Sequence, residues 1–103
     1  MKRATRRKAR DGREWFVYIL ECADKTLYTG ATNDVRKRLA RHLAGKGARY
    51  TSGRLPVKLK YAERCGDKRG ALQREYALKR LARKEKLRLC KGVRHARHVG
   101  QAL

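Results

Sequence analysis

Short apolar runs along the chain predict a β-hairpin near its start. The residues from Trp15 to Cys22 are mostly β-branched, aromatic or aliphatic, and a second run covers Thr26–Thr29. Between the two runs lies a polar break at Ala23–Lys25. Strand-forming runs on either side of a short polar break are typical of a β-hairpin, so this segment is expected to supply the first two strands.

A helix is predicted to follow the hairpin. Apolar residues recur at helical spacing in this segment: Val35, Leu39 and Leu43. The stripe runs as far as Gly45, and either Thr32 or Asn33 is expected to cap the start of the helix. The segment 45–53 is rich in glycine and cations and predicts a mobile loop, which either approaches a substrate or is simply a loop.

The second half of the chain predicts one strand and two helices. Apolar and basic residues alternate after Pro56: Val57, Leu59 and Tyr61 against Lys58 and Lys60. This alternation predicts a third strand with one buried and one wet face. Asp67 is expected to cap a helix that runs to about Arg83, and residues 84–89 predict a further short helix. The inner side of the long helix is expected to carry Ala71, Leu72, Leu78, Leu81 and Ala82.

This order of elements predicts an α+β fold, a small three-stranded antiparallel sheet flanked by helices in the order ββαβαα. The helices are long enough to cover one face of the sheet, and the other face needs cover or stays wet. A chain of 103 residues supports one core. We expect a disordered basic arm at 1–13, one folded domain at 14–91 and a basic C-terminal tail at 92–103.

The net charge is the property of the composition that says most about the partner of this protein. Thirty Lys and Arg residues against nine Asp and Glu give a net charge of +21. A small protein with this charge repels itself unless a polyanion neutralises it, so nucleic acid is the expected partner. The longest apolar run, Trp15–Leu20, is far shorter than the ~20 residues that span a bilayer, so no membrane partner is expected.

The remaining composition predicts a reducing, cytoplasmic location. The basic first residues lead into no apolar segment, so no secretory signal is expected, although an arginine-rich start also suits an organelle transit peptide. Three cysteines at unrelated spacings argue against a disulfide framework. Zinc binding is a further alternative through Cys90, His95 and His98, with Cys65 as a fourth ligand. That spacing matches no established zinc template.

A set of ordered motifs carries a resemblance to a known family. Val17-Tyr18-Ile19-Leu20 is followed by Tyr28-Thr29-Gly30, by Asn33–His42 and by Glu75. In this order and at these separations, the motifs resemble the GIY-YIG nuclease domain over roughly residues 15–89. The chain is most similar to small stand-alone bacterial members, which also have a loop like Gly45–Thr51 and a strand like Pro56–Leu59.

The resemblance implies a set of functional residues. The two motif tyrosines correspond to Tyr18 and Tyr28, the helical arginine to Arg38, the nearby histidine to His42 and the metal-binding glutamate to Glu75. Some positions depart from the family pattern. Phe16-Val17 replaces glycine and isoleucine, Thr29 replaces the second isoleucine, and no asparagine follows Glu75, since Asn33 is the only one in the chain.

These residue types suit phosphodiester hydrolysis. The planar, always charged guanidinium of Arg38 can pair with two phosphate oxygens. Glu75 is expected to hold a single Mg²⁺ or Mn²⁺, and the alternative for this carboxylate is an ion pair with Lys79 on the helix surface. Tyr28 is expected to act as base or to position water, with Tyr18 in support, although a hairpin tyrosine is often only a packed residue.

His42 and several exposed cations complete the hypothesis. His42 is expected to hydrogen-bond a tyrosine or the phosphate, or to shuttle a proton, and a plain histidine at the core margin is the alternative. Nucleic acid is expected to meet basic residues of the helix and the glycine-rich loop: Arg36, Arg41, Lys46 and Arg49. Further cations lie at Arg88, Lys91, Arg94 and Arg97.

Together these features predict a metal-dependent endonuclease that acts on DNA, with RNA as the alternative substrate. The sequence contains no module with a base-reading layout, so selection by substrate shape is expected rather than by base sequence. The competing hypothesis is a non-catalytic basic protein that binds nucleic acid, associated with the ribosome or the nucleoid.

Overall fold

The computed structural model describes residues 14–91. The basic arm predicted at 1–13 and the tail predicted at 92–103, with His95 and His98, lie outside the described residues. The elements within 14–91 are β1 (Trp15–Glu21), β2 (Leu27–Thr32), α1 (Val35–Leu43), α2 (Arg49–Ser52), β3 (Lys58–Gly66), α3 (Lys68–Lys79) and α4 (Arg83–Lys91).

The predicted α+β fold with a three-stranded antiparallel sheet is confirmed. The strand order is β2-β1-β3, so β1 lies in the centre and pairs with both neighbours. This position explains why β1 carries four consecutive buried residues, since a central strand is covered on both faces. No helix within residues 14–91 is long and apolar enough to cross a membrane.

Both faces of the sheet are covered by helices, which goes beyond the single covered face expected from the sequence. Tyr18 and Leu20 point to one side of β1, where Leu39 of α1 packs against them. Val17 points to the opposite side and packs against Ala71 and Leu78 of α3. Ile19 is on that same side, and α4 covers it through Cys90 and Leu89. The structure is therefore three-layered, with α1 on one face and α3 and α4 on the other.

The ends of α1 differ in part from the sequence prediction. Asp34, rather than Thr32 or Asn33, is the N-cap, and its carboxylate accepts a hydrogen bond from the Lys37 backbone N–H at 3.0 Å. The Thr32 hydroxyl instead accepts from the N–H of Asp34 at 3.1 Å. At the other end, Gly45 adopts φ +78° and stops the helix as predicted.

The later elements follow the prediction with shifted ends. Asp67 caps α3 as expected, because its carboxylate accepts from the Gly70 N–H at 2.9 Å. The helix ends at Lys79, however, before the predicted Arg83, which instead begins α4. The segment 45–53, predicted as a loop, contains the short helix α2.

Three apolar side chains expected inside the fold lie outside it. Leu43 is 47% exposed and Leu72 is 45% exposed, and Ala82 is exposed as well. On α1 the buried positions are Val35 and His42. The apolar stripe is therefore rotated relative to the prediction, and a histidine occupies the core position that Leu43 was expected to fill.

A substitution at Thr29 is predicted to stabilise the fold. Its side chain is 3% exposed, and its hydroxyl has no hydrogen-bond partner within residues 14–91. Because an unpaired buried hydroxyl is costly, Thr29→Val should raise the free energy of unfolding by about 1 kcal/mol in urea titrations. Thr32→Val is the matched control on the same strand: the Thr32 hydroxyl is hydrogen-bonded, so this change should destabilise. A loss of stability in Thr29→Val would contradict the prediction.

Candidate active site

The two motif tyrosines lie side by side on one face of the hairpin. In the β1–β2 register, Tyr18 is opposite Gly30 and Tyr28 is opposite Leu20. Alternate residues of a strand share a face, so both phenols lie on the face that α1 covers. Their ring centroids are 6.4 Å apart. The hairpin alone thus brings the two phenols together.

Gly30 leaves the space that the Tyr18 ring occupies. A Cβ at position 30 would lie 2.5 Å from the Tyr18 hydroxyl oxygen and 2.6 Å from the ring carbon that bears it. Both distances are shorter than any ordinary carbon contact. Any side chain at position 30 would therefore displace the Tyr18 hydroxyl.

Gly30→Ala is expected to destabilise the fold by about 1–3 kcal/mol, because it overpacks a site between two strands. Urea unfolding measures this change. Gly53→Ala is the matched control, since nothing lies within 4 Å of a Cβ there and its φ is −96°. That control should leave stability within ~0.5 kcal/mol. Equal stability of the two variants would contradict the packing described here.

His42 is fully buried at 0% exposure, so it lies inside the core rather than at its margin. Its Nε2 lies 2.9 Å from the Tyr18 hydroxyl and its Nδ1 lies 2.9 Å from the Thr51 hydroxyl. The ring also meets Tyr28 edge-on, with centroids 5.4 Å apart. Burial lowers the pKa of His42, and the charges of Arg38 and Arg41 lower it further. The ring is therefore neutral at pH 7.

Arg38 and Glu75 both act electrostatically on Tyr18. Burial raises the pKa of the Tyr18 phenol, and Tyr28 adds to this rise. The positive charge of Arg38 opposes it, and the negative charge of Glu75 supports it. Side chains from α1 and α3 are therefore close enough to influence one phenol on β1. Tyr18 itself stays protonated at neutral pH.

Glu75 lies on α3 beside the tyrosines. Its Oε2 is 3.0 Å from Lys79 Nζ, so the ion pair considered from the sequence is present. That same Lys79 ammonium lies 6.0 Å from the centre of the Tyr28 ring. The Glu75 side chain is 19% exposed, which leaves it open to solvent at the rim of the site. Glu75 can therefore form its ion pair with Lys79 and still border the site.

The described residues form no cluster of metal-binding side chains. Within residues 14–91, no group of three or more His, Cys, Asp or Glu side chains could hold a metal ion. Cys90, a ligand in the zinc alternative, is buried against Ile19 and Tyr61. The two histidines of that alternative lie outside the described residues. Glu75 is the sequence-predicted ligand, and its oxygens suit a hard divalent cation.

The four cations predicted to meet nucleic acid, Arg36, Arg41, Lys46 and Arg49, are all exposed. They lie on α1 and on the segment that carries α2, the same elements that hold His42. Arg41 has a structural contact as well, because its Nη2 donates to the Lys46 carbonyl at 3.2 Å. The basic surface is therefore continuous with the elements that build the site.

Sequence reasoning missed three residues that border the site: Tyr50, Thr51 and Arg54. The Tyr50 ring stacks on Tyr28 with centroids 6.0 Å apart. Arg54 lies 4.0 Å from the Tyr50 ring centre and its Nε donates to Asp24 at 3.0 Å, so the α2 segment is fastened to the hairpin turn. The available signal was the Gly45–Thr51 motif, but no spacing in the sequence shows that it packs on the tyrosines.

Comparison with known proteins identifies the family of this chain. The model of the GIY-YIG catalytic domain matches residues 14–88, which is the described fold almost from end to end. The chain belongs to the GIY-YIG family. The resemblance drawn from the motifs is thereby confirmed.

Several proteins similar to this chain are UPF0213 proteins. The UPF0213 protein of Natronomonas pharaonis is 54% identical over 74 residues, which are 72% of this chain and 87% of that protein. The UPF0213 protein of Bacillus licheniformis is 55% identical over 73 residues, 71% of this chain and 75% of that protein. The solution NMR structure of a UPF0213 protein from Bacillus halodurans is 44% identical, covers 76% of this chain and 83% of that chain, and has a TM-score of 0.49.

Membership of the GIY-YIG family indicates nuclease activity, and with it nucleic acid as the general class of substrate. Divalent metals are the general cofactors of such nucleases. The names of the UPF0213 relatives state no activity. The assignment of individual roles therefore depends on the geometry of Tyr18, Tyr28, Arg38, His42 and Glu75 in this chain.

Proposed function

We propose that this protein is a metal-dependent endonuclease that hydrolyses phosphodiester bonds of DNA and selects its substrate by structure rather than sequence. One observation supports this most strongly. The two strand phenols and the buried histidine of α1 pack together around the Tyr18 hydroxyl, and the charges of Arg38 on α1 and Glu75 on α3 both influence the pKa of Tyr18. A surface that only binds polyanions has no need of buried, mutually hydrogen-bonded tyrosine and histidine.

Arg38 would hold the scissile phosphate. Its guanidinium is half-exposed on α1, so it can reach both a substrate and the tyrosine cluster. A planar fork donates to two phosphate oxygens at once and stabilises the added negative charge as phosphorus becomes five-coordinate. The exposed cations of α1 and α2 would grip the flanking phosphates without reading bases.

Glu75 would hold a single Mg²⁺ or Mn²⁺. One carboxylate binds such an ion weakly, so water and the substrate phosphate would complete the ligand set, as is common for Mg²⁺. When bound, the cation supplies charge neutralisation at the phosphate and at the leaving oxygen. The Lys79 ammonium now pairs with Glu75, and it would have to move aside or keep only one carboxylate oxygen.

The tyrosines would handle the attacking water. Tyr28 is half-buried and borders solvent, so it is assigned to positioning the water or accepting its proton. Tyr18 stays protonated and is hydrogen-bonded to His42, and so supports the arrangement. Attack forms the new P–O bond while the bond from phosphorus to the 3′ oxygen breaks. The water proton passes to Tyr28 or to solvent, the departing 3′ oxygen takes up a proton from solvent, and the products are a 5′-phosphate and a 3′-hydroxyl.

The test is a cleavage assay of the purified chain on flap, nicked, forked, single-stranded and duplex DNA, with RNA counterparts, in Mg²⁺ or Mn²⁺. We expect cutting of at least one branched or single-stranded substrate, and its loss in EDTA. Salt-dependent binding without cutting of any substrate would contradict the proposal. That result would favour the competing hypothesis of a non-catalytic nucleic-acid-binding protein.

A further inference from the structure

Thr51 is fully buried at 0% exposure in a four-residue helix that is otherwise mostly exposed. Its hydroxyl makes two hydrogen bonds. One joins it to the Ala48 carbonyl at 3.0 Å, and the other joins it to Nδ1 of His42 at 2.9 Å. Thr51 thus contacts an imidazole that touches both tyrosines.

The direction of these hydrogen bonds follows from counting protons. A carbonyl oxygen only accepts, so the single proton of the Thr51 hydroxyl is committed to Ala48. The Thr51 oxygen must then accept from His42, which requires the proton to be on Nδ1. In a neutral imidazole this leaves a lone pair on Nε2. The Tyr18 hydroxyl, 2.9 Å away, therefore donates to it.

The chain segment around Thr51 also holds the plane of the ring. A Cβ at Gly47 would overlap the His42 ring, with Cγ at 2.7 Å and Cε1 at 2.8 Å. The backbone of Gly47 therefore lies against the imidazole, and the ring is enclosed between this backbone and the tyrosines. Because both the orientation and the hydrogen-bond partners are set, the α2 segment determines which nitrogen faces Tyr18.

We propose that Thr51 is a positioning residue that holds His42 as the Nδ1–H tautomer, so that the Tyr18 hydroxyl donates to His42 and keeps its oxygen lone pairs for the active site. Without the Thr51 hydroxyl, the proton can move to Nε2. His42 would then donate to the Tyr18 oxygen, which reverses the direction of this hydrogen bond and occupies a lone pair of the phenol. The catalytic consequence rests on the proposed nuclease function, but the tautomer does not.

The decisive measurement is the ¹⁵N NMR of the His42 side chain at neutral pH in the full chain, with its signals assigned by comparison with His42→Gln. We expect the protonated nitrogen to be Nδ1 in the unaltered protein and in Thr51→Ser. In Thr51→Val, which keeps the shape but removes the hydroxyl, we expect a shift towards Nε2–H. An Nε2–H tautomer in the unaltered protein overturns the proposal, and this readout needs no Thr51 variant to fold.

Cleavage kinetics give the second readout. Thr51→Val should lower kcat by about 10- to 100-fold, because a buried imidazole donor loses its partner, while KM changes by less than about 2-fold. Thr51→Ser should keep kcat close to that of the unaltered protein, because serine retains the hydroxyl. A role in packing alone would predict a loss instead, since serine lacks the methyl group. An unchanged tautomer in folded Thr51→Val overturns the proposal. If the tautomer changes in Thr51→Val but the unaltered protein cuts nothing, the positioning role is upheld and the nuclease function is contradicted.

Discussion

Glu75→Gln should lower metal-dependent DNA cleavage by roughly 100- to 1,000-fold or more, because charge stabilisation of the transition state is lost with the ion. Glutamine keeps the size of the side chain but removes the charge that a divalent cation requires. DNA affinity should stay the same or rise slightly, since the variant loses a negative charge. Single-turnover cleavage and binding on the same branched substrate measure both quantities.

The Lys79→Gln variant distinguishes metal binding by Glu75 from its ion pair with Lys79. Lys79 Nζ is 3.0 Å from Glu75 Oε2, so either substitution removes the same contact. If Glu75 served only that pair, both variants would lose about 0.3–0.5 kcal/mol of stability and would cut equally well. We expect Lys79→Gln to cut and Glu75→Gln not to cut. Cleavage by Glu75→Gln at the unaltered rate would rule out the assignment.

Arg38→Ala should lower cleavage by roughly 100- to 1,000-fold, because no other side chain is assigned to the oxygens of the scissile phosphate in the transition state. Arg38→Lys should recover little of this activity, since an ammonium lacks the planar fork. The variant should still bind DNA, because a single cation among many contributes little to the total affinity. Rates at saturating enzyme measure the chemical step separately from binding.

Arg36→Ala is the matched control for Arg38. Both residues lie on α1 and both changes remove one positive charge, but Arg36 is exposed and is not among the groups that act on Tyr18. The two variants should therefore show the same small loss of binding and the same salt dependence. Only Arg38→Ala should lose cleavage. Equal activity of the two variants would show that Arg38 is an ordinary surface cation.

Local sequence signals predicted most of the fold. The hairpin followed from two strand-forming runs, and the end of α1 at Gly45 followed from the tolerance of glycine for positive φ. Asp67 was recognised as the cap of α3 because a short acidic side chain accepts from a free helix N–H. Each of these features depends on residues close together in the sequence.

The errors arose where tertiary contacts outweigh local pattern. Apolar spacing placed Leu43 inside, but the hydrogen bonds to Tyr18 and Thr51 satisfy both nitrogens of His42 and allow it to be buried instead. Asn33 and Asp34 are both good caps by residue type, and only backbone geometry distinguishes them. The helix α2 is four residues long and is secured to the hairpin by Arg54, a contact between segments far apart in the chain.

Part of the site was also predictable from local sequence patterns. The predicted hairpin held both Tyr18 and Tyr28, and helix periodicity placed Arg38 near His42. No local pattern relates Glu75 to these residues, and its assignment came from the family resemblance. Thr51 was missed because a threonine beside glycines and cations has no distinctive signal, although its hydroxyl contacts the central histidine.

Paramagnetic NMR with Mn²⁺ would test the central claim, that one metal and one phosphodiester meet at the tyrosine cluster. The Arg38→Ala variant, which should bind without cutting, keeps a branched oligonucleotide intact during the measurement. With DNA bound, Mn²⁺ should broaden first the side-chain signals of Glu75, Tyr18 and Tyr28. Broadening centred elsewhere on the chain, with these three signals unaffected, would contradict the account.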